Sequence, residues 1–349
     1  MFSSLSIKNY RGIREANIPD LSMVNLFFGK NNCGKSTVLE SLFLISGQSN
    51  PSLPVTVNNM RGVASFSQQA MAVDFYGANP QNAIDIAVEG TERRSLHIEM
   101  VRSDSHEVAL GELRSGKSDA FHKYYGLKAS YSIGGSPVSY KSELIVSGEN
   151  REHGRIGVDK RYKERLFSRY IPSGQVETGL ARTFADVVKN KREAEVAEAL
   201  RVFEPRLRDI QLVGDDLLVD MGFQQRLLLN VMGDGIRKVL SIILAIYECA
   251  GGILIVDELD NGLHFSVMED LWAVIFSTAS RQNVQLFAST HNIDLLKGLV
   301  AWLDTDGAAC YREKVSAYKL IRTETDEIAT LRYGYGQLSY SNAQELEVR

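Results

Sequence analysis

The sequence is poor in cysteine, in long apolar runs and in net charge. Its 349 residues include three cysteines, Cys33, Cys249 and Cys310. They are widely spaced and odd in number, which argues against a disulfide framework or a zinc site and leaves reduced thiols as the simplest reading. No window approaches eighteen uninterrupted apolar residues, and the start, MFSSLSIKNYRG, lacks the basic-then-apolar layout of a secretory leader. A cytoplasmic chain that makes no use of a membrane is therefore expected. A net charge of −4 and a pI near 5.9 exclude a global pull toward nucleic acid and leave only local basic faces to consider. No heptad pattern is sustained for three or four repeats, so a long coiled coil is excluded as well. Internal repeats and low-complexity segments are missing too.

What is present is ample material for a large core: 44% of the residues are hydrophobic and 23% charged. FSSLSIKN and VNLFF read as two opening strands, and STVLESLFLIS has apolar residues at helical spacing. SNPSLPVTVNN, with its prolines, breaks that helix. From about 84 to 150 short alternating runs (IDIAVEG, SLHIEMVR, ASYSIGG, SELIVSG) predict an antiparallel sheet. FADVVKNKREAEVAEALRVFEP reads as one helix closed by Pro205, LRDIQLVGDDLLVD as a strand pair, and VLSIILAIYECA as a strongly apolar helix. GGILIVDE and NVQLFAST, separated by the helical SVMEDLWAVIFSTAS, are strands apolar enough to be buried on both faces, which points to a mainly parallel sheet. SAYKLIRTETDEIATLRYGYG reads as two closing strands. The class is α/β.

The chemistry begins at GKNNCGKST, residues 29–37, between a strand and a helix. Gly29 to Ser36 fits G-x-x-x-x-G-K-[ST], a phosphate-binding loop. Its glycines let backbone N–H groups of Asn31, Asn32, Cys33 and Gly34 converge on phosphate oxygens at the positive end of a helix. Lys35 is placed to reach the β and γ phosphates, Ser36 to offer its hydroxyl to Mg²⁺, and Thr37 to bond near the α phosphate. ILIVDE then ends a buried strand with paired acids. Asp257 is suited to hold Mg²⁺ beside Ser36, and Glu258 to polarise an attacking water. A strand end emerging into solvent is the plainer alternative for the acids, as a chance turn is for the loop. His291, after NVQLFAST, stands at the end of a third apolar strand, where a donor can touch the γ-phosphate. ATP and Mg²⁺ are the expected ligands.

GKNNCGKST, MGDGIRK, ILIVDELDNGLH and ASTHN resemble, in order and wording, the Walker A, signature, Walker B with D-loop, and switch-histidine motifs of ABC-type ATPases. The chain is most similar to the compact OLD, RecF and SMC-related group, often called AAA family ATPases in bacteria. KNYRGI and RYIPS extend the likeness over nearly the whole length. The resemblance implies a P-loop ATPase head in one domain. Lobe I would span about 1–150 and 250–349, with an antiparallel β subdomain, and lobe II about 151–249, helical and bearing the signature. It implies ATP sandwiched in a homodimer or higher oligomer, with Gly233, Asp234 and Gly235 of one copy presenting N–H groups to the other's γ-phosphate. Arg237 would add charge there. Arg11 matches a position that contacts nucleotide, a strand-end surface charge being the alternative. Met232 replaces the signature serine and Asp234 adds a negative charge, both tending to slow hydrolysis. Asp260, Asn261, Gly262 and His264 resemble the D-loop; no glutamine is singled out for the Q-loop.

The 58 residues after His291 are too few for the nuclease domain of overcoming-lysogenization-defect proteins. The expected role is thus control of a nucleic-acid-directed process, antiphage defence or DNA repair, with a separate nuclease or toxin effector as partner. A nucleotide-binding scaffold with little turnover and a transporter subunit are the rival readings. Basic clusters at Lys160, Arg161, Lys163, Arg165 and Arg169, and at Lys189, Lys191 and Arg192, suit either a DNA channel or an ordinary solvated surface.

Overall fold

A computed structural model describes residues 1–63, 67–103, 124–135, 138–147, 153–174 and 179–343. The chain opens with strands β1 (Phe2–Tyr10), β2 (Ile13–Ile18) and β3 (Val24–Phe28), then helices α1 (Lys35–Ser46), α2 (Leu53–Met60) and α3 (Gln68–Ala72). Strands β4 (Ile84–Gly90), β5 (Arg94–Ser103), β6 (Tyr124–Ile133), β7 (Tyr140–Ser147), β8 (His153–Val158) and β9 (Ser168–Ile171) follow. The middle of the chain holds α4 (Leu180–Lys189), α5 (Glu193–Arg201), β10 (Asp209–Val213), β11 (Asp216–Asp220), β12 (Leu227–Leu228) and α6 (Asp234–Glu248). The last part is β13 (Ile253–Val256), α7 (Met268–Gln282), β14 (Gln285–Thr290), α8 (Ile293–Asp304), β15 (Val315–Arg322), β16 (Glu327–Tyr333) and α9 (Tyr335–Ala343).

Among the described residues, thirteen strands form one sheet in the order β8-β7-β6-β5-β4-β1-β2-β16-β15-β3-β14-β13-β9. Strands β15, β3, β14, β13 and β9 run parallel, and β4 to β8 pair antiparallel as expected. Part of that antiparallel span, 104–123, lies outside the described residues. Strands β8 and β9 fall inside the 151–249 span expected for the helical lobe but hydrogen-bond into the main sheet; the helices of that span begin at Leu180. There the small sheet β10-β11-β12 joins α4, α5 and α6.

The unbroken apolar runs follow from burial on two faces. In β13, Leu254 and Val256 pack with the α6–α8 side, while Ile253 and Ile255 pack with α1 residues such as Leu39 and Leu42. In β14, Leu286 and Ala288 face the first side and Phe287 the second. A strand so placed has no polar side, and each fully buried Val, Leu, Ile or Phe contributes roughly 1.5–3 kcal/mol. No helix among the described residues is long and apolar enough to cross a membrane.

Two expectations need correction. The opening contains a further strand, β2, antiparallel to β1 with Leu5 opposite Ile18. The proline-bearing stretch does break the first helix, which ends at Ser46, and then forms α2, with Pro54 in its first turn, where the missing N–H costs nothing. The stretch read as one helix is two. Lys191 adopts a left-handed φ of 56° and the Asn190 side chain donates to the Asp186 carbonyl at 2.7 Å, ending α4 before α5 begins.

Gly252 immediately precedes β13: its carbonyl accepts the Gln285 N–H of β14 at 3.0 Å, and the next residue, Ile253, donates to the Phe167 carbonyl just ahead of β9 at 3.0 Å. A Cβ there would lie 2.1 Å from the Phe167 carbonyl oxygen, a backbone atom that cannot rotate away. Gly252→Ala is therefore expected to pry β9 from β13 and cost about 2–3 kcal/mol, read as a lower urea midpoint; an unchanged midpoint would contradict this packing.

Candidate functional site

Strand β3, buried throughout, delivers the chain to Gly29. Gly29 has φ +143°, and a Cβ on it would lie 2.8 Å from the Leu320 carbonyl oxygen of β15, so only glycine lets the loop leave here. Asn32 (φ 63°) and Gly34 (φ 96°) continue the left-handed curl into α1. Gly34 caps α1 without a side-chain bond, which leaves the first-turn N–H groups, those of Lys35, Ser36 and Thr37, free to meet an anion. The Lys35 ammonium lies over the loop, donating to the carbonyls of Gly29 at 2.9 Å and Lys30 at 3.0 Å. Cys33 is buried under it, with Sγ 3.9 Å from Nζ, while Asn31 and Asn32 are exposed.

Asp257 and Glu258 follow β13 directly, two strands from β3. Asp257 is buried, and its Oδ1 accepts from the Ser289 hydroxyl at 2.5 Å while the Tyr170 hydroxyl approaches Oδ2 at 3.5 Å. Burial pushes the Tyr170 phenol well above its ordinary pKa, and the neighbouring Asp257 adds to the shift, so Tyr170 remains a donor. The same Ser289 oxygen accepts the Glu258 N–H at 2.9 Å, and the Ser289 carbonyl accepts that of Leu259 at 3.0 Å. These bonds hold Glu258 at φ 51°, a left-handed conformation that costs a non-glycine residue about 1–2 kcal/mol. The Glu258 carboxylate accepts the Ser173 hydroxyl on Oε2, and its Oε1 lies 3.7 Å from His291 Nδ1. A cleft of about 470 Å³ is lined by Phe28 to Asn31 on one side and by His291 to Ile293 with Leu296 on the other. Phosphate loop and His291 therefore share one space.

The Ser36 hydroxyl and the Asp257 carboxylate, expected from the sequence as Mg²⁺ ligands, are hard oxygen donors of the kind Mg²⁺ takes together with phosphate oxygens. Among the described residues no group of three or more His, Cys, Asp or Glu converges as a metal cage.

Gly233, Asp234 and Gly235 form the start of α6, with Gly233 extended and no side-chain cap. Asp234 is exposed and paired with Arg237 at 3.2 Å. A Cβ on Gly235 would have Leu263 at 3.7 Å and the Gly262 carbonyl at 3.9 Å as neighbours, so this turn touches the 260–264 loop. Within that loop Asp260 is buried and accepts from Thr290 Oγ1 at 2.7 Å, whereas Asn261, Gly262 and His264 are exposed.

Arg11 sits elsewhere than its expected role suggests. Its side chain is 11% exposed and reaches Asn58 at 2.8 Å, Glu40 at 3.3 Å, Asp74 at 3.3 Å and the Tyr10 hydroxyl at 3.2 Å, none of them on the phosphate loop. Half of the eight residues in the basic clusters pair with acids: Arg161 with Asp159, Arg169 with Glu248, Lys189 with Asp186 and Arg192 with Glu195. Sequence reasoning assigned no role to Ser173, Ser289 or Tyr170: Tyr170 and Ser173 stood only as letters of the landmark RYIPS, and Ser289 as a hydroxyl in an otherwise apolar buried strand.

Residues 1–131 match the family model for an AAA ATPase domain, and residues 144–297 match that for an AAA domain ascribed to the AbiEii toxin of a type IV toxin–antitoxin system. An ATP/GTP phosphatase of Helicobacter pylori is 23% identical over 329 residues, covering 85% of this chain and 87% of that protein. An uncharacterized protein of Methanocaldococcus jannaschii is 48% identical over 44 residues, 13% of this chain and 20% of that one. In fold, the chain is similar to an SMC head bound to the C-winged helix domain of ScpA, with a TM-score of 0.51 at 9% identity over 99% of both chains. The SMC head domain from Thermotoga maritima gives 0.50 at 12% identity, covering 95% of this chain and 98% of that one. Fold, phosphate loop, paired acids and the two domain matches together define the class: a P-loop ATPase with an ABC-type head.

The Arg11 cluster gives a pH prediction. Burial pushes the Asp74 carboxyl up to about 7 from an ordinary 3.8, with the Arg11 guanidinium pulling the other way, and burial also raises Glu40. Between these values the folded chain holds a proton that the unfolded chain releases. Stability from this group is therefore greatest below pH 4 and is lost as pH rises toward and through 7. Urea midpoints measured from pH 5.5 to 8 should fall for the parent protein and fall less for Asp74→Asn; equal slopes would refute the assignment.

Proposed function

We propose that the protein is a Mg²⁺-dependent ATP hydrolase that dimerises around nucleotide and controls a nucleic-acid-directed process through a partner effector. The observation that carries the hydrolytic part is the single Ser289 hydroxyl fixing both acids of the β13 edge, opposite the open end of α1. In this reading the α1 amides and Lys35 hold the phosphates, and Lys35 exchanges its carbonyl partners for phosphate oxygens. Ser36 and Asp257 hold Mg²⁺, which when bound supplies charge for the β and γ phosphates. Glu258 takes a proton from water as the water oxygen bonds to the γ-phosphorus and the bond to the β–γ bridging oxygen breaks, releasing ADP. His291, across the cleft from the loop, donates to the γ-phosphate.

Dimerisation is supported by the outward placement of the α6 N-terminus. Gly233 and Asp234 are exposed, and the turn neighbours the 260–264 loop, so a second copy is the way for its N–H groups to meet a triphosphate. The family matched over 144–297 is described by a toxin of a type IV toxin–antitoxin system, which supports a toxin-linked setting; the effector partner, antiphage defence and DNA repair are carried by the resemblance. A scaffold with little turnover is the second reading. It is favoured by Asp234, whose carboxylate stands at the mouth of α6 with Arg237 to offset it.

Glu258→Gln should keep ATP affinity, lower phosphate release about 10²–10³-fold and accumulate an ATP-loaded dimer by light scattering, while Lys35→Ala should lose nucleotide binding. Undiminished phosphate release from Glu258→Gln would sink the hydrolytic assignment of that residue.

A further inference from the structure

The Glu258 carboxylate has a partner that no motif assigns. Strand β9 pairs parallel with β13, with Ile171 opposite Val256, and the ladder continues one step as the Asp257 N–H bonds the Ile171 carbonyl at 2.9 Å. Two residues beyond each strand end, Ser173 and Glu258 come level, and the Ser173 hydroxyl donates to Oε2. The other oxygen, Oε1, is left on the side of His291, 3.7 Å from Nδ1. Ser173 is half-buried in a turn ahead of Gly174 (φ 72°), and its hydroxyl takes no part in the strand ladder.

We propose that Ser173 is a positioning residue for ATP hydrolysis: its hydroxyl fixes one carboxylate oxygen of Glu258 so that the other faces the attacking water. The inference rests on the reading of Glu258 as general base. Two independent tethers then define the base. Ser289 holds the backbone of Glu258 by its N–H, and Ser173 holds the end of its side chain. A long, half-exposed glutamate without the second tether samples several rotamers, of which few aim an oxygen at a water lined up on phosphorus. The effect should fall on turnover and spare binding, because Ser173 touches the base and not the phosphate loop.

Three variants test this. Ser173→Ala is expected to lower kcat about tenfold with KM for ATP and the affinity for a fluorescent ATP analogue within about twofold, and Ser173→Thr, which keeps the hydroxyl, to recover most of the loss. In a Glu258→Gln background, Ser173→Ala should cost nothing further, since the tethered base is already gone. Thermal melts report folding, and Ser173→Thr carries the comparison if the alanine variant is unstable. Parent-like kcat in Ser173→Ala, a rise in KM at constant kcat, or the same tenfold loss in both backgrounds would each overturn the proposal. The two readings separate cleanly. A fully active Glu258→Gln removes the general base and this inference with it, whereas an inactive Glu258→Gln beside a fully active Ser173→Ala removes only the role of Ser173.

Discussion

The site depends on the in-register parallel pairing of β9, β13, β14 and β3. Because these strands run the same way, all their carboxyl ends open on one edge, and whatever follows them is brought together without further design. The phosphate loop follows β3, His291 follows β14, the two acids follow β13 and Ser173 follows β9. The ladder sets their relative heights: Val256 lies opposite Ala288 on one side and Ile171 on the other. A slip of one residue would turn Asp257 into the apolar layer and carry Ser289 away from it.

Three consecutive residues of one strand end do most of the polar organisation. Ser289 ties both acids, Thr290 ties Asp260 of the 260–264 loop and receives the Asn292 N–H at 2.9 Å, and His291 faces the cleft shared with the phosphate loop. Asp257, Asp260, Ser289 and Thr290 are all buried, so leaving any one unpartnered would cost about 1–3 kcal/mol. They are tolerable inside because they satisfy one another. The acids, the exposed loop beside α6 and the cleft shared with the phosphate loop are therefore joined through β14, so a shift of that strand end would be felt by all three.

What the sequence disclosed and what it hid divide along a physical line. The loop, the acids after ILIV and the histidine after QLFAST were legible because each is a local pattern, a strand meeting a polar group. The parallel sheet was legible because strands buried on both faces cannot alternate. Strand β2 and helix α2 were obscured by short, weakly periodic segments, one beginning right after a turn and the other carrying Pro54 where a helix tolerates it. Ser173 and Ser289 were hidden for a different reason. Their partners are 85 and 31 residues away, and a single serine has no pattern until the strands are laid side by side. Arg11 was visible as a residue but not as an environment: nothing in KNYRG says that Glu40 and Asp74 will surround it.

The two adjacent carboxylates are not equivalent, and the surroundings separate their work. Asp257 is 5% exposed and held through Oδ1 by Ser289, with Tyr170 above Oδ2, an arrangement that fixes a charge in place and keeps water from it. Glu258, with its side chain 34% exposed, keeps one oxygen on the side of His291, 3.7 Å from Nδ1. In the proposed reading Asp257 is the metal ligand, which has to be still and need not meet solvent, and Glu258 the base, which has to meet one water molecule and stay aimed at it. The left-handed backbone at Glu258 makes the division possible. Ordinary extended geometry would send successive side chains to opposite faces of the sheet, and the reversal of φ turns the second acid back over the strand ends, toward Ser173 and His291.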